Sequence, residues 1–334
     1  MFNHSVNYVI AALLVLLLCY NIFRHHKFVN YAILLLLLLL LLQDQNRWQP
    51  WVYIYLLLLL PFSFTGILKE NETNKLAYFQ VIFIGIYFWS GVHKFNQNFL
   101  DTTYVKLLTI FMDAKNNALI DQVKLTGYLI PVTEIAVAVL LFFPKTRKYG
   151  VFLGLATHAF ILIFIGPLGL NINTIIYPWN IAMALLLVLL FYKTSLNIFT
   201  KPKLPWSVLA IGALTWLVPL LNFFGYWDDY LSFSLYSDKT KAFFVAIGDA
   251  ELHKLDAPLH EHLIKTGGIN IIDVNEWSMK ELNVPLYPES RVFNKIAATF
   301  CTNNIAENQL YFLEFEQPIE ANQYTRFTCS KLKN

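Results

Sequence analysis

A chain of 334 residues that is 57% hydrophobic and only 14% charged carries more apolar surface than a soluble domain can bury, which excludes an ordinary soluble enzyme. Its formal charge of +3 is small and scattered, so no nucleic-acid partner and no polybasic lipid switch is expected. The composition calls for a lipid bilayer as the surrounding medium.

Apolar windows of about 19 residues fall near 6–23, 28–43, 50–68, 76–95, 126–143, 149–167, 172–192 and 205–224, which predicts an eight-span helical bundle. The first window has no small-residue cleavage pattern and runs at once into another apolar stretch, so it is expected to stay as an anchor. The second holds nine consecutive leucines, Leu34 to Leu42, with nothing polar among them, and is expected to face lipid as filler. The connections rich in Lys and Arg alternate: Arg24 and Lys27; Lys69 and Lys75; Lys145, Arg147 and Lys148; Lys193, Lys201 and Lys203. By the positive-inside rule these are cytoplasmic, both termini lie outside, and the membrane is of the bacterial inner type.

The fourth window ends in Tyr87-Phe-Trp-Ser-Gly-Val-His-Lys-Phe-Asn-Gln-Asn-Phe99, where an apolar helix meets a cationic, amide-rich end. An ionisable group at a bilayer costs free energy unless it snorkels, pairs or faces a wet cavity, so Lys94 is a candidate site and His93 and Asn96 go with it. Glu134 falls about eight residues into the fifth window, roughly 12 Å below its end, and His158 lies at similar depth in the sixth. The seventh carries Tyr177-Pro-Trp-Asn180, which groups an aromatic, a helix-perturbing proline and an amide in one turn near its middle. Four consecutive spans thus bear polar groups toward one half of the membrane. That asymmetry predicts an outward-opening polar cavity with Lys94, His93, Glu134 and His158 as candidate catalytic groups and Tyr87, Asn96, Tyr177, Trp179 and Asn180 as its lining. Taken singly, His158 as a core histidine, Glu134 as an interhelical hydrogen-bonding acid and Trp179 and Asn180 as packing groups remain open.

The composition changes near Trp227, which sets a membrane domain over 1–225 and a small α+β extracytoplasmic (periplasmic) domain over 226–334. Strands are expected at 242–248, 269–274, 310–315 and 324–328, and a helix at 288–301. Cys301 and Cys329 both fall in this tail, where an exported location favours a disulfide over two free thiols. His260 and His262 would share a face if their segment were a strand, with Glu251, His253, Asp256 and Glu261 nearby, but a solvated loop is the stronger reading and no metal is assigned. The Tyr226-Trp-Asp-Asp-Tyr230 collar reads as an interfacial belt or a docking surface.

The Tyr87–Phe99 segment resembles the lysine-bearing motif of the horizontally transferred transmembrane domain, the membrane region of the vitamin K-dependent γ-carboxylase superfamily. Thr157-His-Ala-Phe-Ile-Leu-Ile-Phe-Ile-Gly-Pro167 and Tyr177-Pro-Trp179 are similar to its histidine and Pro-Trp regions, so that the resemblance covers about 75–192. It implies a helical membrane fold in which Lys94 falls on the lysine that serves as base toward a hydroquinone. Ile161 stands where the family has asparagine, the His-to-Ile-Gly spacing is shorter and the tail is much smaller, so glutamate carboxylation is not carried over. The neighbouring DoxX-like and MauE-like quinone-associated membrane proteins are closer in size.

Two functions follow. One is a membrane-embedded subunit or scaffold whose cavity suits a lipid or quinone-like molecule and whose tail docks an envelope protein complex. The other is a membrane oxidoreductase or carboxylase-like enzyme with Lys94 as general base on a quinol-like substrate. The tail lacks a nucleophile elbow, a phosphate-binding glycine loop and a paired-cysteine redox motif, which favours the first.

Overall fold

The computed structural model describes residues 4–24, 26–64, 72–113, 117–166, 168–171, 174–194, 196, 204–316 and 323–332. Lys69, Pro167, Lys201 and Lys203 lie outside the described residues. The chain is mainly helical with one antiparallel sheet, and it divides into two compact units, neither contiguous in sequence: 1–93, 128–163 and 177–235 form the first, and 94–127, 164–176 and 236–334 the second.

Apolar composition builds the first unit from α1 (His4–Phe23), α2 (Lys27–Gln43), α3 (Pro50–Ser63), α4 (Glu72–His93), α5 (Leu129–Phe142), α6 (Arg147–Phe164), α7 (Ile176–Leu187) and α8 (Trp206–Gly212). A π-helical turn carries α7 on to Tyr192, and α8 continues through π and 3-10 turns to Phe224. Among the described residues, five helical stretches are long and apolar enough to cross a bilayer: Ser5–Phe23, Glu72–His93, Ala118–Phe142, Arg147–Phe164 and Trp206–Phe224. Lys27–Gln43, Pro50–Ser63 and Ile176–Tyr192 are apolar but shorter, so eight expected spans stand as five by length with three shorter helices in the remaining places.

Helix α4 is the centre of this unit. Ile82 and Phe83 on it are fully buried, among Val137, Leu141, Val151, Leu187 and Phe191 from α5, α6 and the α7 segment. Gly91 permits a close approach of α4 to α5, because a Cβ there would stand 2.7 Å from Ile135 Cγ1 and 2.8 Å from Pro131 O of α5. The leucine run in α2 is not all filler. Leu34 and Leu41, seven residues and two helical turns apart, are buried, whereas Leu35 and Leu42 are exposed, since one stripe of any packed helix must turn inward. Buried Asn30 of α2 accepts from Asn21 Nδ2 (2.8 Å) and donates to Phe62 O (3.0 Å), linking α1, α2 and α3.

The second unit holds a sheet in the order β2-β3-β1-β4-β5, antiparallel throughout: β1 Ala242–Gly248, β2 Leu263–Thr266, β3 Ile269–Asp273, β4 Leu310–Phe315 and β5 Tyr324–Phe327. Phe243, Val245 and Ile247 alternate inward from β1, and Phe243 stacks at 4.8 Å on Phe293 of α10 (Ser290–Phe300). Four strands and this helix match the sequence expectation. Unforeseen are β2 and α9 (Val274–Leu282). Gly267 and Gly268, both at positive φ, make the two-residue turn that pairs β2 with β3. Asp273 caps α9 by accepting from Asn275 N and Glu276 N, and its burial raises its carboxyl above the usual range.

A Cys301–Cys329 disulfide closes the end of α10 onto α11 (Cys329–Leu332), which resolves the open choice in favour of the bridge. Chain segments far apart in sequence join the sheet's unit through hydrogen bonds: Asn96 Nδ2 to Ser237 O at 2.8 Å, Thr103 N to Asp238 Oδ2 at 3.0 Å, and Asn283 Nδ2 to Thr174 Oγ1 at 2.5 Å.

Candidate functional site: a polar group among four membrane helices

Helix α4 presents Tyr87, α5 Glu134, α6 His158 and α7 Asn180, each between 4 and 8% exposed. A polar side chain on an apolar helix gains by finding a partner on another helix, because lipid offers it none. Tyr87 Oη lies 2.5 Å from His158 Nε2, and His158 Nδ1 lies 2.7 Å from Asn180 Oδ1. An amide oxygen can only accept, so Nδ1 carries the imidazole proton and Nε2 accepts the Tyr87 hydroxyl. Asn180 therefore sets the tautomer of a neutral imidazole, and the transferable proton of the Tyr87–His158 pair is that of the hydroxyl. Glu134 is close enough to act electrostatically on both Tyr87 and His158.

The other predicted residues are placed differently. His93 ends α4 in an aromatic stack, 5.0 Å from Phe223 and 5.8 Å from Trp89. Lys94, 5% exposed, begins the second unit in the turn after α4. Asn96 in that unit caps the next helical turn, its Oδ1 accepting from Phe99 N at 2.9 Å while its Nδ2 is held by Ser237 O. Trp179 meets Tyr55 edge to face at 5.6 Å, and Tyr177 is half-buried. The Tyr177–Asn180 turn opens α7 rather than interrupting its middle. Pro178 fits there because the first turn of a helix has no intrahelical acceptor for the missing N–H.

A second buried polar group escaped the sequence reading. Arg147, counted among the loop cations, is the first residue of α6 and 1% exposed; its Nε donates to Leu141 O (2.9 Å), its Nη1 to Thr194 O (3.4 Å), and the guanidinium lies over Phe191. Gln80 of α4 donates to Leu190 O (2.7 Å) and Thr194 Oγ1 (3.1 Å). The available signal was Gln80, an amide inside an apolar window. In the tail, Ala257–His262 is a 3-10 turn and not a strand, so His260 and His262 do not share a strand face; His262 Nε2 instead meets Glu281 Oε1 at 2.9 Å. Among the described residues no group of three or more His, Cys, Asp or Glu side chains could hold a metal.

Residues 72–174 match the model of a family described as methylamine utilisation protein MauE, over well under half of the chain. The match takes in Tyr87, Lys94, Glu134 and His158 and stops short of Asn180. It agrees with the expectation of a DoxX/MauE-like neighbour. No curated protein and no solved structure matches the chain. Apolar helices and this match together make the chain a multi-pass membrane protein that is similar, over 72–174, to the MauE family.

Proposed function

We propose that this protein is a membrane-embedded accessory subunit or scaffold of a bacterial-type inner membrane. In this reading α4 to α7 line an outward-facing polar cavity that takes a lipid or quinone-like molecule, and the extracytoplasmic part docks an envelope partner. The observation that carries it is the Tyr87–His158–Asn180 chain with Glu134, four polar groups drawn from four helices into one buried place. A neutral, oriented imidazole and a phenol can exchange hydrogen bonds with a ligand oxygen without burying a net charge. Orientation is supported by the alternating Lys and Arg connections, and by a disulfide in the tail, as an oxidising compartment would allow. The exported part would then comprise 94–127 and 164–176 as well as 226–334, since those two segments fall in the sheet's unit.

The second reading, a carboxylase-like oxidoreductase related to the horizontally transferred transmembrane domain with Lys94 as general base, draws its support from one fact: a lysine 5% exposed at the end of an apolar helix. Native mass spectrometry of gently solubilised wild type beside Lys94→Ala and His158→Leu separates the two. The subunit reading expects a stoichiometric protein partner in all three samples and a lipid or quinone-sized adduct lost in His158→Leu. Absence of both adduct and partner from wild type would sink it; an adduct lost in Lys94→Ala, with quinol oxidation lost alongside and no protein partner, would install the enzyme in its place.

A further inference from the structure

Two large apolar side chains of the second unit, Phe111 and Leu168, are 58% and 82% exposed although each is held on a hydrogen-bonded turn. Leu168 stands in a closed turn at the end of α6. Leu170 N donates to Phe164 O (2.9 Å), and Gly169 N and Asn171 N both donate to Gly166 O (3.1 and 3.0 Å). A Cβ at residue 169 would run into Phe164 O, so the turn closes this tightly only on glycine. Phe111 leaves the short helix Val105–Leu108 through a turn in which its own N and Met112 N donate to Leu108 O (2.9 and 3.1 Å). Its ring then meets that of Phe164, the last residue of α6, with centroids 5.0 Å apart. One exposed leucine on a surface is ordinary. Here two segments distant in sequence bring exposed apolar side chains to the end of the same helix.

The level of that helix end in the membrane follows from its length. Helix α6 has 18 residues, which rise about 27 Å, no more than the roughly 30 Å of hydrocarbon that it has to span. Phe164 therefore stands at the boundary of the hydrocarbon and not beyond it. Leu168 follows by four residues, at most about 13 Å of extended chain, and the Leu170 to Phe164 hydrogen bond folds it back to less. The headgroup layer on each side is about 5–8 Å deep. Chain order adds a second constraint, since 94–127 leaves α4 and runs into α5, while 164–176 leaves α6 and runs into α7, so each segment is tethered to membrane helices at both ends. A protein partner would have to displace headgroups to reach side chains at this level. Lipid is already there. We propose that Phe111 and Leu168 form an interfacial anchor, inserted together at the boundary between headgroups and acyl chains, which holds the 94–127 and 164–176 segments to the membrane surface. The anchor depends neither on a ligand in the polar cavity nor on which side of the membrane these segments occupy.

The test uses the full chain in phosphatidylcholine nanodiscs, with Cys19→Ser so that an introduced thiol is the free one and Cys301–Cys329 stays bridged. Leu168→Cys and Phe111→Cys each carry a nitroxide label. Leu16→Cys on the exposed face of α1 serves as the lipid reference, and Lys295→Cys, exposed on α10, as the water reference. Collision with molecular oxygen, which partitions into lipid, is compared with collision with a water-soluble nickel chelate. The oxygen-to-nickel ratio at 168 and at 111 is expected to be several-fold above that at 295 and below that at 16. A ratio at either position equal to that at 295 overturns the proposal, because the side chain then lies in water. Poor access of both probes to either label overturns it as well, since that is the mark of cover by protein and would make the patch a docking surface between protein chains.

Discussion

Helices α1 and α4 both qualify by length and composition to cross a bilayer, and α1 is the more apolar; yet 6% of the α1 window is buried within the protein against 72% of the α4 window. In water the ranking would be reversed. Lipid chains are as apolar as leucine, so an apolar side chain gains little by leaving lipid for protein, whereas a glutamine, tyrosine or histidine gains a partner by turning inward. Helix α4, with Gln80, Tyr87 and His93 buried on it, is drawn to the centre; α1, which has exposed Leu16, Ile22 and Phe23, stays at the margin.

The largest effect that would break this contrast is Gly91→Leu. A side chain there must displace Ile135 and the Pro131 carbonyl, which costs about 3 kcal/mol or more in a packed core. Folded protein measured by fluorescence-detected size exclusion should collapse, while Leu16→Ala on the exposed face of α1 leaves the yield unchanged; equal yields for the two would mean that α4 is not the packed centre. Next in size, replacing both Cys301 and Cys329 by serine should destabilise the second unit by about 3 kcal/mol and leave the helical unit in place. Limited proteolysis read unit by unit checks this, with uniform loss across both units as the contrary result.

A smaller effect belongs to the polar centre. Tyr87→Phe strands His158 Nε2 without a donor and should cost about 1–2 kcal/mol in thermal unfolding, while Asn180→Leu should cost a similar amount by releasing the tautomer. Because the three groups form one chain, the double variant should cost less than the two singles added together. Strict additivity would mean that they act separately.

The smallest effect depends on pH and concerns the second unit alone. Burial would lower the Lys241 ammonium, but hydrogen bonds and charge from Glu314 and Glu316 outweigh it and raise the group above the ordinary lysine range. A raised ammonium stabilises the folded state fully below the free-lysine pKa, and that contribution is lost as pH climbs through the folded value. Lys241→Met should therefore cost about 1 kcal/mol at pH 7 and remove the alkaline part of the second unit's pH-stability profile. An unchanged alkaline profile in the variant would assign the loss to another group.

Much of the helical framework was legible from the sequence because lipid imposes a simple rule, a long apolar run wherever the chain crosses, and each expected window coincides with an apolar helix to within a few residues except where 118–125 extends the fifth. Strands β1, β3, β4 and β5 were legible from alternation and β-branched or aromatic content. Strand β2 was missed because four residues give too short a pattern, although the Gly267-Gly268 pair beside it is a turn signal in its own right. Arg147 was misread because a cation at a helix end has the same sequence signature whether it faces water or carbonyls of its own fold.

By itself the sequence determined that the chain is a multi-pass membrane protein with an α+β tail and a pair of cysteines suited to a bridge. Those outcomes rest on local composition and on the thickness of a bilayer. Only the tertiary structure decided that Tyr87 meets His158, 71 residues away, that Asn180 rather than a charged group orients the imidazole, and that 94–127 and 164–176 fold into the same unit as the sheet. Hydropathy records how deep a polar residue sits in the membrane. It carries no record of the angle at which its helix faces a neighbour, and that angle sets which polar groups become partners.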